Sequence, residues 1–226
     1  MVFNDYADSN HHKSALIEMG KIKFIAFEGV AGAGKSTQIE NVRNYLDSRG
    51  KSCFVTKAFE DDRRRNTEAF FNTLQYTNDN AKTFIFQALH CVQYQEVIEN
   101  YNRFDYILAD RWRDTFFAYH KFFGELSTLE PAILDVFDHL AFRDLYADLT
   151  FFFDISPEVA QKRYKQREDG RGDMIKTDDI AFFETTINFY RNLTKEKKWI
   201  RIDCNGTVEY VTAQIIKEME RIERDI

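Results

Sequence analysis

Short, nearly continuous apolar runs alternate along this chain with longer stretches of helical period. The runs Phe24–Phe27, Ser52–Thr56, Tyr106–Ala109, Leu149–Phe153 and Trp199–Ile202 read as strands. Between them, helical spacing predicts helices over Gln38–Ser48, closed by Gly50, and over Thr67–Tyr76, Lys82–Tyr101, Thr115–Phe123, Pro131–Phe142 and Val208–Arg224. A further helix starts at Pro157, a position that accepts proline in its first turn, with Ser156 as its expected cap, and runs to about Glu168. Strands this apolar, separated by helices, imply an α/β fold: a central parallel sheet of about five strands covered on both faces. Such sheets place ligands at the carboxyl ends of their strands.

Composition narrows the class. The chain has 226 residues, 44% of them hydrophobic and 30% charged, with 22 Phe but only 9 Gly and 2 Pro, which excludes disordered and collagen-like proteins. No Pro/Gly/Ser linker divides it, so residues 21–226 are expected to form one domain after a polar extension over 1–20. With 31 Lys+Arg against 37 Asp+Glu, the net charge of −6 argues against general binding to bulk nucleic acid or to an anionic membrane. No run approaches the roughly 20 apolar residues of a membrane span, and the leader lacks an apolar stretch of signal-peptide length. Cys53, Cys91 and Cys204 are far apart in sequence and read as reduced thiols filling the core of a cytoplasmic protein.

The strand Phe24–Phe27 and Glu28 lead into Gly29-Val30-Ala31-Gly32-Ala33-Gly34-Lys35-Ser36-Thr37, which matches G-x-x-x-x-G-K-[ST] between a strand and a helix. Three of the nine glycines fall here. Gly29, Gly32, Ala33 and Gly34 would let successive backbone N–H groups converge on phosphate oxygens at a helix N-terminus, with Lys35, Ser36 and Thr37 completing the cradle for ATP. Lys35 is placed to reach the β- and γ-phosphates and Ser36 to ligate Mg²⁺. The three-layer P-loop NTPase fold is the architecture that carries such a loop.

Two further elements extend the reading. Tyr106-Ile107-Leu108-Ala109 ends in Asp110, where the partner of Ser36 at Mg²⁺ is expected, and Arg111 follows directly. Arg163, Arg167 and Arg171 lie on and after the helix that breaks near Gly170 and Gly172. They read either as a solvated helix face or as a lid over about 163–176, with one arginine offsetting charge on the transferred γ-phosphoryl group. No Asn-Lys-x-Asp signature for guanine is present, which disfavours a GTPase switch. A non-catalytic nucleotide-binding module remains the alternative from another class.

Taken together, these residues resemble the thymidylate kinase family from about Lys21 to the C-terminus. The likeness rests on Phe27-Glu28-Gly29 with the loop and Gln38, on Asp110-Arg111-Trp112 with Thr115 and Ala118-Tyr119, and on Asp148-Leu149-Thr150 with Asp154-Ile155-Ser156-Pro157-Glu158. The resemblance implies ATP-dependent phosphorylation of a nucleoside monophosphate, dTMP to dTDP or a related deoxynucleotide, by a homodimer. It also implies that Arg111 clamps the acceptor 5′-phosphate with help from Arg63, that Phe86 stacks on the acceptor base, and that His90 and Tyr119 line the acceptor site. The adenine is implied near Asn205–Thr207. The sequence departs from the family at Ala31, where an acidic residue usually meets the sugar, and at His90, where an arginine usually reads the pyrimidine edge. Lys57–Arg65 lacks the usual proline. These departures leave open a kinase for a nucleoside or a modified nucleotide.

Overall fold

The computed structural model describes residues 22–73, 79–119, 130–166 and 179–225. In chain order the elements are β1 (Phe24–Glu28), α1 (Lys35–Ser48), β2 (Cys53–Thr56), α2 (Asp61–Thr73), α3 (Asp79–Asn100), β3 (Tyr106–Asp110) and α4 (Arg113–Tyr119). They continue with α5 (Pro131–Phe142), β4 (Leu149–Asp154), α6 (Pro157–Lys165), α7 (Ile180–Glu196), β5 (Ile200–Asp203) and α8 (Val208–Asp225). The five strands form one parallel sheet in the order β2-β3-β1-β4-β5. Strands β1, β3 and β4 are buried at every position, as central strands covered on both faces must be.

Side-chain alternation in β1 divides the interior. Ile25 and Phe27 point into the larger core, with Leu46, Phe151, Phe153, Phe183, Ile187 and Ile215 among its members. Phe24 and Ala26 point the other way, onto Val97, Trp112, Ala141 and Phe142. Trp112 fills that second core edge-on against Phe24 at 5.0 Å and Phe142 at 4.6 Å. The chain turns to opposite sides of β1 on its way to β2 and β4. The ends of β1 and β3, with Phe27 opposite Asp110, therefore open onto the crevice at the switch point.

Several elements differ from the sequence expectation. Helix α1 begins at Lys35, not Gln38, because Gly34 closes the loop in a left-handed turn. Helix α2 begins at Asp61 instead of Thr67, so the Arg63–Arg65 triplet is helical despite having no apolar period. Helix α7 was not anticipated at all. Its buried stripe of Phe182, Phe183, Thr186, Ile187 and Tyr190 follows Asp179, whose side chain accepts a bond from the Ala181 N–H at 3.0 Å. Ser156 stands at the start of α6 but makes no side-chain cap. Of the cysteines only Cys204 is core; Cys53 is half-buried and Cys91 is exposed. The expected extension over 1–20 and the lid beyond 166 lie outside the described residues. No helix among the described residues is long and apolar enough to cross a membrane.

Candidate active site

The turn after β1 is shaped by glycines. Gly32 has φ 80°, and a Cβ there would stand 2.4 Å from the Ala160 carbonyl oxygen, so the loop lies directly against α6. Gly34 has φ 91°, and a Cβ there would meet nothing within 4 Å. The turn is therefore open on the side that a Cβ of Gly34 would occupy. Within the cradle the Lys35 ammonium donates to the Gly29 and Val30 carbonyls, both at 3.0 Å. Ser36 and Thr37 are exposed in the first turn of α1. Gln38 donates to the Val208 carbonyl at 3.0 Å and accepts from the Thr212 hydroxyl at 2.7 Å, tying α1 to α8.

Asp110 at the end of β3 faces the same turn. Its Oδ2 accepts from the Ser36 hydroxyl at 2.9 Å and lies 3.3 Å from the Lys57 ammonium. Burial pushes the Asp110 carboxyl up, but Lys57, Lys35, Arg111 and the Ser36 hydroxyl outweigh it and hold the group below its ordinary value. An ionised carboxylate beside a hydroxyl is an all-oxygen donor pair suited to Mg²⁺, a hard cation that keeps several waters and relies on substrate phosphates for its other ligands. No group of three or more His, Cys, Asp or Glu that could hold a metal by themselves occurs among the described residues.

Arg111 adopts φ 70°, in the left-handed region that non-glycine residues seldom occupy. Its N–H bonds to the Phe27 carbonyl at 3.1 Å, and its Nη1 donates to the Gly29 carbonyl at 2.7 Å. Lys35 and Arg111 thus meet on one carbonyl oxygen. The guanidinium also lies over the Tyr119 ring, 5.1 Å from its centroid. From behind, Gln93 donates to the Arg111 carbonyl at 3.0 Å.

Glu28 explains how this turn is held. It is fully buried and accepts from the Trp112 N–H at 2.8 Å, from the Thr115 hydroxyl at 2.6 Å and from the Tyr190 hydroxyl at 3.0 Å. One carboxylate thereby fixes the end of β1, the strained turn at Arg111 and helix α7. Burial, with Asp114 nearby, pushes its carboxyl up to about 7, against the opposing hydrogen bonds and Arg111.

The remaining expected residues separate into two places. Phe86 and His90 lie on the buried face of α3, each edge-on to Phe59, at 5.1 and 5.6 Å. Burial lowers the His90 imidazole to about 4, so it is neutral at physiological pH. Arg63 donates to the Lys57 carbonyl at 3.1 Å and pairs with Glu96, which also accepts from the Thr56 hydroxyl at 2.8 Å. Arg163 lies on the other side of the loop, donating to the Cys204 and Gly206 carbonyls at 3.0 and 3.3 Å. It braces the segment leading into α8, beside the expected adenine position, where Asn205 accepts from the Ser156 N–H at 2.9 Å. Arg167 and Arg171 lie outside the described residues.

Sequence reading missed Glu28, Lys57, Glu96 and Tyr190. For Glu28 a signal existed, an acid terminating an otherwise apolar strand. Lys57 and Glu96 carried none, because only the pairing of β2 with β3 and the crossing of α3 bring them to the site.

The chain is similar to several known proteins. The family model described as thymidylate kinase matches residues 27–215. A thymidylate kinase of Thermosipho melanesiensis is 32% identical over 196 residues, covering 85% of this chain and 94% of that protein. One of Thermosipho africanus is 28% identical over 204 residues, covering 88% and 98%. Among solved structures, thymidylate kinase from Ehrlichia chaffeensis superposes with a TM-score of 0.63 at 19% identity, over 87% of this chain and 98% of that one.

Proposed function

The chain belongs to the thymidylate kinase family, and from that premise we propose that it transfers the γ-phosphoryl group of ATP to dTMP, giving dTDP and ADP. The observation that supports this most directly is the Gly29 carbonyl shared by Lys35 and Arg111. It brings the cation expected on the donor phosphates to the cation expected on the acceptor phosphate. An oxygen of the acceptor 5′-phosphate bonds to the γ-phosphorus as the bond from that phosphorus to the β–γ bridging oxygen breaks, leaving ADP.

Catalysis here is positioning and charge neutralisation, with no covalent enzyme intermediate. The loop amides and Lys35 bind the donor. Ser36 and Asp110 would hold Mg²⁺, which would supply positive charge against the donor phosphates. Arg111 grips the acceptor phosphate with Arg63 in reserve behind Lys57, and Glu28 sets the Arg111 turn. Of the three candidate arginines on and after α6, Arg163 serves the adenine side, which leaves Arg167 or Arg171 for the transferred group.

A coupled assay of ADP release on addition of dTMP tests the reading. Arg111→Ala should lower kcat/KM by roughly 10²–10³ while ATP binding survives, and Lys35→Ala should abolish turnover. Wild-type protein that binds ATP without dTMP-stimulated turnover would replace the kinase by a binding module.

The same reading places a second copy of the chain on the outer faces of α3 and α5. Phe84, Val92, Ile133, Val136 and Leu140 are exposed there. Contacts of Phe84 with Phe137 at 5.8 Å and of the Cys91 thiol with the Leu140 carbonyl at 3.8 Å make the two faces one surface. An apolar area of this kind suits a homodimer interface. Three free thiols support a reducing, cytoplasmic setting.

A further inference from the structure

Helix α3 is inverted relative to an ordinary core helix. Its buried face carries Thr83, Phe86, Gln87, His90, Gln93 and Val97, four of them polar with side chains capable of two or more hydrogen bonds, while Phe84 and Val92 are turned outward. Buried polar groups are normally satisfied. Here both amide atoms of Gln87, which is only 7% exposed, have no hydrogen-bond partner among the described residues, and neither does Nδ1 of His90. These atoms are desolvated and directional, which is how a binding site looks before the ligand supplies the missing partners.

Their position indicates which ligand. Gln93 fixes the same face to the Arg111 carbonyl, so the face starts at the acceptor-phosphate clamp. At about 1.5 Å per residue, His90 lies roughly 4.5 Å and Gln87 roughly 9 Å farther along the axis. Phe86 sits beside Gln87 on that turn. On the kinase reading, a nucleotide whose phosphate rests on Arg111 would direct its base toward this stripe, where Phe59 packs edge-on against Phe86 and His90.

Resting on the kinase reading above, we infer that Gln87, with His90, reads the edge of the acceptor base, and that the site accepts deoxypyrimidine monophosphates of both hydrogen-bonding orders, dCMP as well as dTMP. Thymine presents an N–H donor beside carbonyl acceptors. Cytosine presents an amino donor beside a ring-nitrogen acceptor. A guanidinium can only donate and so opposes the cytosine amino group. A primary amide carries a donor and an acceptor and can turn to match either order, while His90, whose ring also bonds to Gln93, presents its bare Nδ1 beside it. Burial keeps His90 neutral.

The test compares steady-state kinetics with dTMP and dCMP for wild type and Gln87→Leu, which keeps bulk and removes both polar atoms. Inhibition by 2-deoxyribose 5-phosphate, which has sugar and phosphate but no base, and thermal unfolding are measured alongside. Wild type should use both nucleotides with kcat/KM within about tenfold of each other. The variant should raise KM for both by roughly tenfold or more, leave the inhibition constant of the base-free compound unchanged, and melt at the same or a higher temperature. Unchanged KM values overturn the inference, as does a lowered melting temperature with weakened base-free inhibition, which would mark a structural role. Rejection of dCMP by more than 10³-fold overturns the breadth of the site. If wild type turns over neither nucleotide, the kinase reading fails instead. Calorimetric binding of dTMP to wild type and variant then decides the role of Gln87 by the same ratio.

Discussion

Glu28 carries more of this site than its single position suggests. Its carboxyl, ordinarily near 4.5, is raised to about 7, so the folded protein holds the proton more tightly than the unfolded chain. The stability associated with this group is fully present below pH 4.5 and is lost as pH rises through 7, a change of about 3 kcal/mol. Glu28→Gln should therefore unfold at higher urea than wild type at pH 8, with the difference shrinking toward pH 5. Equal differences at both pH values would show that the carboxylate is not paying a burial cost. His90 shifts the other way, to about 4, and its Cε1–H proton resonance should show no titration near pH 6.5. At this scale the loop, Asp110 and Arg111 were legible in the sequence, because each depends only on neighbours within a few positions. Glu28 was quoted in the motif, yet its partners Thr115 and Tyr190 stand 87 and 162 residues away, and no local pattern joins them.

Among the elements, the loop and α6 depend on each other at Gly32. Gly32→Ala would drive a methyl group into the Ala160 carbonyl and force a left-handed alanine, so it should cost more than about 2 kcal/mol of stability in urea unfolding. Gly34→Ala meets no neighbour and should cost only about 1 kcal/mol from its backbone, while a methyl group next to Lys35 should weaken ATP binding in calorimetry. The opposite ranking would mean that α6 yields to the loop. Strands β1, β3 and β4 were legible because burial on both faces makes them short apolar runs. Helix α7 was not read, although Asp179 and the Phe183, Ile187, Tyr190 spacing were there to be seen. Its buried stripe is broken by Thr186 and flanked by Phe189, which blurs the period. Only the first turns of helix α2, before Thr67, offered no period, since Arg63 is placed by Glu96 rather than by an apolar face.

For the whole molecule, the exposed surface over α3 and α5 predicts association. Leu140→Glu combined with Val136→Asp should convert a dimer into a monomer in sedimentation velocity, and the exposed Cys91 thiol should react with a disulfide reagent faster in that variant. Sedimentation identical to wild type would remove this surface as the interface. The order β2-β3-β1-β4-β5 was not readable from the sequence, because strand neighbours are chosen by crossovers that leave no mark on the runs themselves.

Because every strand points the same way, the sheet has a working end and an idle one. At the idle end Asp148 receives the Lys23 and Phe24 N–H groups at 2.9 and 2.8 Å, and Asp105 receives the Ser52 N–H at 2.9 Å. Asn102 is exposed in the turn that precedes β3 at this end. A tether attached there, for instance through Asn102→Cys, would present the enzyme on a sensor chip with its mouth toward the flowing solution, and captured molecules should all be competent to bind.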